Sequence, residues 1–141
     1  MTRDEISQFL ARRNETWQRH DSAALVENHL EDGTVDSPFF GHIAGRGAIY
    51  NRYSQWFSSF PDATYITEHL LIDGDKAAQI IKMTGTQEGE FCGLEPTGKR
   101  FEMRCVFFFT FLGDRIAQET SIYDITGILL QLGVLKAKPA F

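Results

Sequence analysis

The sequence predicts an α+β fold in which helices from the first half pack against a cone-shaped, curved antiparallel sheet built from the second. Apolar residues recur at helical spacing up to about residue 60, and beyond Pro61 the period changes to two over four runs rich in Ile, Thr, Tyr, Phe and Val. The length of 141 residues suits one core, and no linker, repeat or low-complexity segment interrupts it, so residues 1–141 read as a single soluble domain.

Thr2 and Glu5 have capping-box spacing, and Ile6, Phe9, Leu10 and Trp17 then share a face between polar Arg12, Arg13, Asn14 and Gln18. A first helix is expected to about His20. Asp21 and Ser22 can cap a second helix carried by Ala23, Ala24, Leu25 and Val26 and broken at Asp32-Gly33, with a short strand at 34–37. A third helix starts near Gly47, turns Ile49, Tyr53, Trp56, Phe57 and Phe60 inward, and stops at Pro61-Asp62. The strands then fall at 64–72, 76–88, 99–112 and 115–123, separated by Asp73-Gly74-Asp75, a loop from Gly89 to Gly98, and Gly113-Asp114. Gln131-Leu132-Gly133 ends a short C-terminal helix, with glycine just past the cap. A curved sheet closed on one side by helices encloses a cavity at its wider end.

Composition removes several function classes. The formal charge of -5 repels phosphate, and Lys and Arg are scattered rather than striped, so no nucleic-acid partner is expected. Cys92 and Cys105 lack metal-ligand spacing and read as free thiols. His20, His29, His42 and His69 share no ligand spacing either, so no metal is expected. His42, in a loop before the third helix, could reach a cavity mouth or simply hold its loop; His69 shares a strand face with Tyr65, Thr67 and Leu71. Gly45 and Gly47 mark a helix start, and no nucleophile elbow, P-loop or three-glycine fingerprint is present. The N-terminus has no apolar signal region and no stretch is long enough to span a bilayer, which predicts a cytoplasmic protein without a membrane partner. Twelve phenylalanines point to an aromatic interior.

Gly85-Thr86, Gly89-Glu90-Phe91 with Gly93, Pro96-Thr97-Gly98-Lys99-Arg100, and Asp124 with Gly127 and Gln131-Leu132-Gly133 occur in an order and spacing that resembles the SnoaL-like polyketide and ester cyclases, a branch of the nuclear-transport-factor-two-like superfamily. Gly45-Arg46-Gly47-Ala48-Ile49 fits the same pattern, so the resemblance covers nearly the whole chain. It implies a cone with a pocket and ring closure by intramolecular aldol condensation, without a cofactor, through an acidic residue that shuttles a proton. That acidic residue is an aspartate three positions before the equivalent of Asp124, which falls on Ser121 here. The histidine of the preceding strand falls on Phe107, the frequent Gly-Thr-His reads Gly-Thr-Gln at Gln87, and the histidine two residues before the aspartate is replaced by Glu119. An unactivated hydroxyl cannot move protons near neutral pH, so Ser121 is no direct substitute.

Strand alternation places Glu119, Ser121 and Tyr123 on one face, with Asp124 off it unless a bulge intervenes. The neighbouring strand presents Met103, Cys105, Phe107, Phe109 and Phe111 as an apolar wall. A carboxyl against such a wall is expected to have a raised pKa suited to acid–base work. The alternative for Glu119 is a solvated or ion-paired strand carboxylate with Arg104, Arg115 or Lys82. The candidate catalytic residues are therefore Glu119 and Asp124, and the candidate substrate contacts are Gln87, Ser121, Tyr123, Phe107, Phe109, Cys105, Met103 and Trp56. Two function classes follow: a cofactor-free enzyme acting on a small apolar carbonyl compound, including ketosteroid-isomerase-like proton transfer, or a non-catalytic binder of a small hydrophobic molecule. Val106, Phe108 and Leu112 on the outer sheet face are expected to pair two copies as a homodimer.

Overall fold

Local signals set where each helix begins. In the computed structural model, which describes residues 1–137, Thr2 and Glu5 form a reciprocal capping box, and α1 (Arg3–Gln18) follows. Asp21 accepts the Ala24 N–H at 3.0 Å and starts α2 (Ser22–Glu27). α2 stops five residues short of the Asp32-Gly33 break expected from the sequence. The chain becomes strand at β1 (His29–Ser37), longer than the short run anticipated, because it finds ladders on both sides. β2 (Gly41–Ala44) pairs antiparallel with β1; it contains His42, which therefore sits on an edge strand rather than in a loop. Then come α3 (Arg46–Ser59), β3 (Thr64–Asp73), β4 (Lys76–Thr86), β5 (Arg100–Leu112), β6 (Arg115–Ile122) and α4 (Ile125–Gln131). Gly133 takes φ +78° just past the Leu132 cap, as the helix-end reading requires.

The fold is α+β, and its six strands run in the order β2-β1-β6-β5-β4-β3. The expectation of a purely antiparallel sheet is corrected: β1 lies parallel to β6, so the sheet is mixed and open at β2 and β3. A parallel neighbour arises because β1 is inserted from the N-terminal half beside the last strand of the antiparallel run. Between Thr67 and His69 the β3–β4 register slips. That bulge moves Leu70 and Ile72 to the packed side and leaves Leu71 exposed, against the simple alternation that grouped His69 and Leu71 with Tyr65.

One sheet face is covered by α1 and α3. Ile6, Leu10 and Trp17 of α1 and Ile49, Tyr53, Trp56 and Phe60 of α3 are buried with Ile81, Phe101, Phe107, Phe109 and Phe111 of the sheet. Aromatic rings meet edge to face, among them Phe60 on Phe101 at 4.9 Å and Trp17 on Phe57 at 4.9 Å between centroids. Each such side chain stabilises the fold by about 1.5–3 kcal/mol through burial. The 87–99 loop is fixed by backbone as well as side chain: Gly89 lies so close to Ser58 that a Cβ would come within 2.3 Å of its carbonyl oxygen, a contact only glycine tolerates. Among the described residues no helix is long and apolar enough to cross a membrane. Cys92 is an exposed free thiol and Cys105 a buried one.

Candidate active site

Buried Arg13, His29, Gln79 and Glu119 join the hydroxyls of Tyr53 and Tyr65 in one network. Arg13 sits on the buried stripe of α1, spaced with Ile6, Leu10 and Trp17, and its Nη2 donates to Glu119 Oε1 at 2.9 Å, both side chains being fully buried. The same nitrogen donates to Tyr53 Oη at 3.2 Å, and Nη1 donates to Tyr65 Oη at 2.9 Å. The guanidinium also stacks over Tyr65, Phe107 and Phe109, with its carbon 4.9 Å from the Phe109 centroid. Tyr53 donates its hydroxyl hydrogen to Glu119 Oε1 at 3.2 Å. Its oxygen, 3.1 Å from His29 Nε2, can then only accept there, which assigns the histidine proton to Nε2 and leaves Nδ1 as an unpartnered acceptor. On the other side Tyr65 donates to Gln79 Oε1 at 2.6 Å, and Gln79 continues to Asn14 at 3.3 Å.

Burial opposes every charge in this network, and proximity decides the outcome. For Glu119, burial alone would raise the pKa, but Arg13, with smaller contributions from His29 and Arg52, more than offsets it and holds the carboxyl below its usual range. The expectation of a raised carboxyl is therefore corrected. Burial likewise works against the Arg13 charge, and the Tyr65 and Tyr53 oxygens together with Glu119 outweigh it. His29 is pushed down to about 4, chiefly by burial and partly by Arg13, so its ring is neutral at physiological pH. Tyr53 is pushed up to about 12 by burial and by Glu119.

A small cavity opens beside this network between α1, α3 and the sheet, lined by Trp17, Arg52, Trp56, Met83, Met103, Phe107 and Tyr123. Its volume is about 10 Å³, room for about one water. Wider clefts of about 450 and 530 Å³ exist at the surface, one against the 90–93 loop and one between α1 and the β5–β6 turn. They are open and lined mainly by surface side chains, although Arg13 also borders the second; of the buried charged side chains, Arg52 alone lines the small cavity.

Of the residues anticipated as substrate contacts, Trp56, Met103, Phe107 and Tyr123 line this cavity. Ser121 is buried opposite Phe107 in the β5–β6 ladder, and its hydroxyl has no partner among the described residues. Phe109 lies under the Arg13 guanidinium rather than on the cavity wall, and Cys105 is buried with its thiol toward the Ile81 carbonyl. Gln87 is elsewhere: its amide donates to the Leu94 and Glu95 carbonyls and accepts from Thr97, so it is spent on the 87–99 loop. Asp124 is an exposed helix cap, its Oδ1 accepting the Gly127 N–H at 2.9 Å. The ion-pair partners considered for Glu119 are also engaged differently, Arg104 with Glu68 and Lys82 with Glu102. His42 pairs with Asp36 at the surface. Arg13, His29 and Arg52 were missed by sequence reasoning. For Arg13 a signal existed, because Ile6, Leu10, Arg13 and Trp17 follow the 4-3-4 spacing of a buried helical stripe.

An α+β fold with helices on one face of an open mixed sheet hosts varied chemistry, so the fold by itself names no reaction. The chain belongs to the SnoaL-like polyketide cyclase family, whose profile matches residues 8–132. No curated protein matches it. Among solved structures, it is similar to AclR, a candidate hydroxylase from Streptomyces galilaeus, at TM-score 0.85 and 21% identity over 99% of this chain and 87% of the other. It is similar to IdmH, a candidate polyketide cyclase from Streptomyces antibioticus, at TM-score 0.76 and 26% identity over 90% and 97%. A protein of ketosteroid isomerase-like fold from Catenulispora acidiphila, in complex with trimethylamine, superimposes with TM-score 0.75 and 16% identity over 94% and 95%.

Proposed function

We propose that this chain is a cofactor-free enzyme that moves a proton on a small apolar carbonyl compound held in the aromatic cavity, with Glu119 as the proton acceptor and Ser121 as a hydrogen-bonding partner. The observation that carries the proposal is the second carboxylate oxygen: Glu119 Oε2 is buried and has no partner among the described residues, while Oε1 is held by Arg13 and Tyr53. A buried ionised oxygen without a donor is costly unless a ligand supplies one. Ser121, two residues along the same strand face and equally unpartnered, can donate to an oxyanion.

The chemistry follows from the charge state. Arg13 keeps Glu119 ionised, so it starts as a base. It takes a proton from the carbon next to a carbonyl; the C–H electron pair becomes the enolate, whose oxygen Ser121 stabilises. In ring closure the enolate carbon bonds to a second carbonyl carbon of the same molecule, and the new alkoxide takes the proton back, leaving the enzyme unchanged. A carboxylate held below the usual range is a weak base, which favours carbon acids already activated by two carbonyls. Deuterium exchange into the enolisable position of benzoylacetone tests this without knowledge of the natural substrate. Ser121→Ala should slow exchange at least tenfold and leave stability unchanged or slightly raised, because it removes an unsatisfied hydroxyl.

The second reading, a non-catalytic binder, is favoured by the clamp on Glu119 and by the small size of the cavity. It predicts binding of such compounds with no exchange above buffer. We place the protein in the cytoplasm as a homodimer, paired through an outer sheet face that leaves Phe108, Leu112 and Ile122 exposed. Light scattering at micromolar concentration should return twice the chain mass of 16.0 kDa.

A further inference from the structure

Arg52 is the one charged side chain of the cavity wall. It projects from α3 and is only 5% exposed, yet its guanidinium makes no hydrogen bond or ion pair with any described residue, and its Nε is both buried and unpartnered. Its contacts are aromatic: the guanidinium carbon lies 5.4 Å from the Phe40 centroid and 5.6 Å from that of Tyr53. Such stacking offsets part of the lost hydration but leaves the donors unused. Two further cavity-lining residues carry the same feature, since the indole N–H groups of Trp17 and Trp56 are buried without acceptors.

The charge count points the same way. The fully charged side chains buried among the described residues are Arg13, Arg52 and Glu119, because His29 is neutral. Arg13 and Glu119 cancel each other through their contact. Arg52 acts on Glu119 only at a distance and has no direct partner, so a buried Nε donor is left free for a negative group that joins it. The walls specify the shape of that partner: Trp56 and Phe107 are flat, and Met83 and Met103 are unbranched side chains that have to swing aside before a ring can enter.

We infer that the cavity takes a planar aromatic carboxylate, its carboxylate paired with the Arg52 guanidinium and its rings between Trp56, Phe107 and the two methionines. This rests on the proposed function for the location of the site and narrows its substrate class from any apolar carbonyl compound to an organic anion. Arg52 would hold the end of the molecule distant from the reacting carbon, fixing which position meets Glu119.

The test compares 2-naphthoate with its neutral isostere 2-naphthamide by isothermal titration calorimetry. Wild type should bind the carboxylate at least tenfold more tightly, and Arg52→Gln should abolish that preference while retaining the amide. In the absence of ligand, Arg52→Met should melt at or above the wild-type temperature, because it removes an unpaired buried charge. Equal affinity of wild type for the two probes would overturn the inference, as would an unchanged preference in Arg52→Gln or a large fall in melting temperature for Arg52→Met. The two readings fail separately. Exchange of benzoylacetone without a carboxylate preference would keep the proton chemistry and refute the anion site; a carboxylate preference without exchange would keep the anion site and refute the chemistry.

Discussion

Replacing Arg13 by Met removes a guanidinium that donates to Glu119 at 2.9 Å, to Tyr65 at 2.9 Å and to Tyr53 at 3.2 Å, all beneath the helices. The methionine fills much of the volume and keeps the contacts with Phe107 and Phe109. What is lost is the charge that makes a buried Glu119 tolerable, and breaking a buried pair from one side costs about 3–5 kcal/mol. For a domain of this size each kcal/mol lowers Tm by about 2–4 °C, so a fall on the order of 10 °C is expected. The sign of the pH response should also reverse. In wild type Glu119 lies below its unfolded pKa, and its contribution is present above the unfolded value and lost as pH falls through the folded one. In Arg13→Met burial is opposed only by the weaker contributions of Arg52 and the Tyr53 hydrogen bond, so the folded pKa should rise above the unfolded one and stability be lost as pH rises toward 8. The double variant Arg13→Met with Glu119→Leu removes both charges and should recover most of the loss. Urea unfolding of the four proteins at pH 5 and pH 8 measures the coupling. A single Arg13→Met loss below 1 kcal/mol, or strict additivity in the cycle, would refute the claim that this pair organises the site.

Three further outcomes follow from single positions. His29, neutral and pushed down to about 4 by burial, takes up a proton in the unfolded chain first, so wild type should lose about 3 kcal/mol as pH falls from 6.5 to 4; His29→Gln should flatten that part of the curve in pH-resolved thermal melts. Gly89→Ala forces a methyl against the Ser58 carbonyl and should cost roughly 1–3 kcal/mol in chemical denaturation, with the displacement confined to the 87–99 loop in amide-proton spectra. Asp124→Ala should remove only a helix cap, about 1 kcal/mol, and leave exchange of benzoylacetone at the wild-type rate.

The elements were readable because their signals are local. The capping box at Thr2, the Asp21 cap, the change of period after Pro61 and the glycine after Leu132 each act within a few residues, and each appears where the sequence places it. The parallel β1–β6 pairing was not readable, since it joins residues more than 80 positions apart and leaves no mark on either strand. The site divides in the same way. Period two put Glu119 and Ser121 on the inner face, and the β5 alternation gave the apolar wall correctly. The pKa direction of Glu119 failed because it depends on Arg13, 106 residues away, which looked like one more polar position on α1. Gln87 failed for a related reason: glutamine can satisfy a loop backbone as readily as a ligand, and only the Leu94, Glu95 and Thr97 contacts decide between them. A resemblance carries position without carrying environment, and chemistry depends on the environment.

The most direct test of the account is the rate of deuterium exchange into benzoylacetone, measured by proton NMR for wild type and Glu119→Gln, with folding of the variant checked by its thermal melt. The account predicts exchange above the buffer rate in wild type and a fall of about 10²–10⁴ in a folded Glu119→Gln protein. Full exchange in that variant, or none above buffer in wild type that binds the diketone, would contradict it.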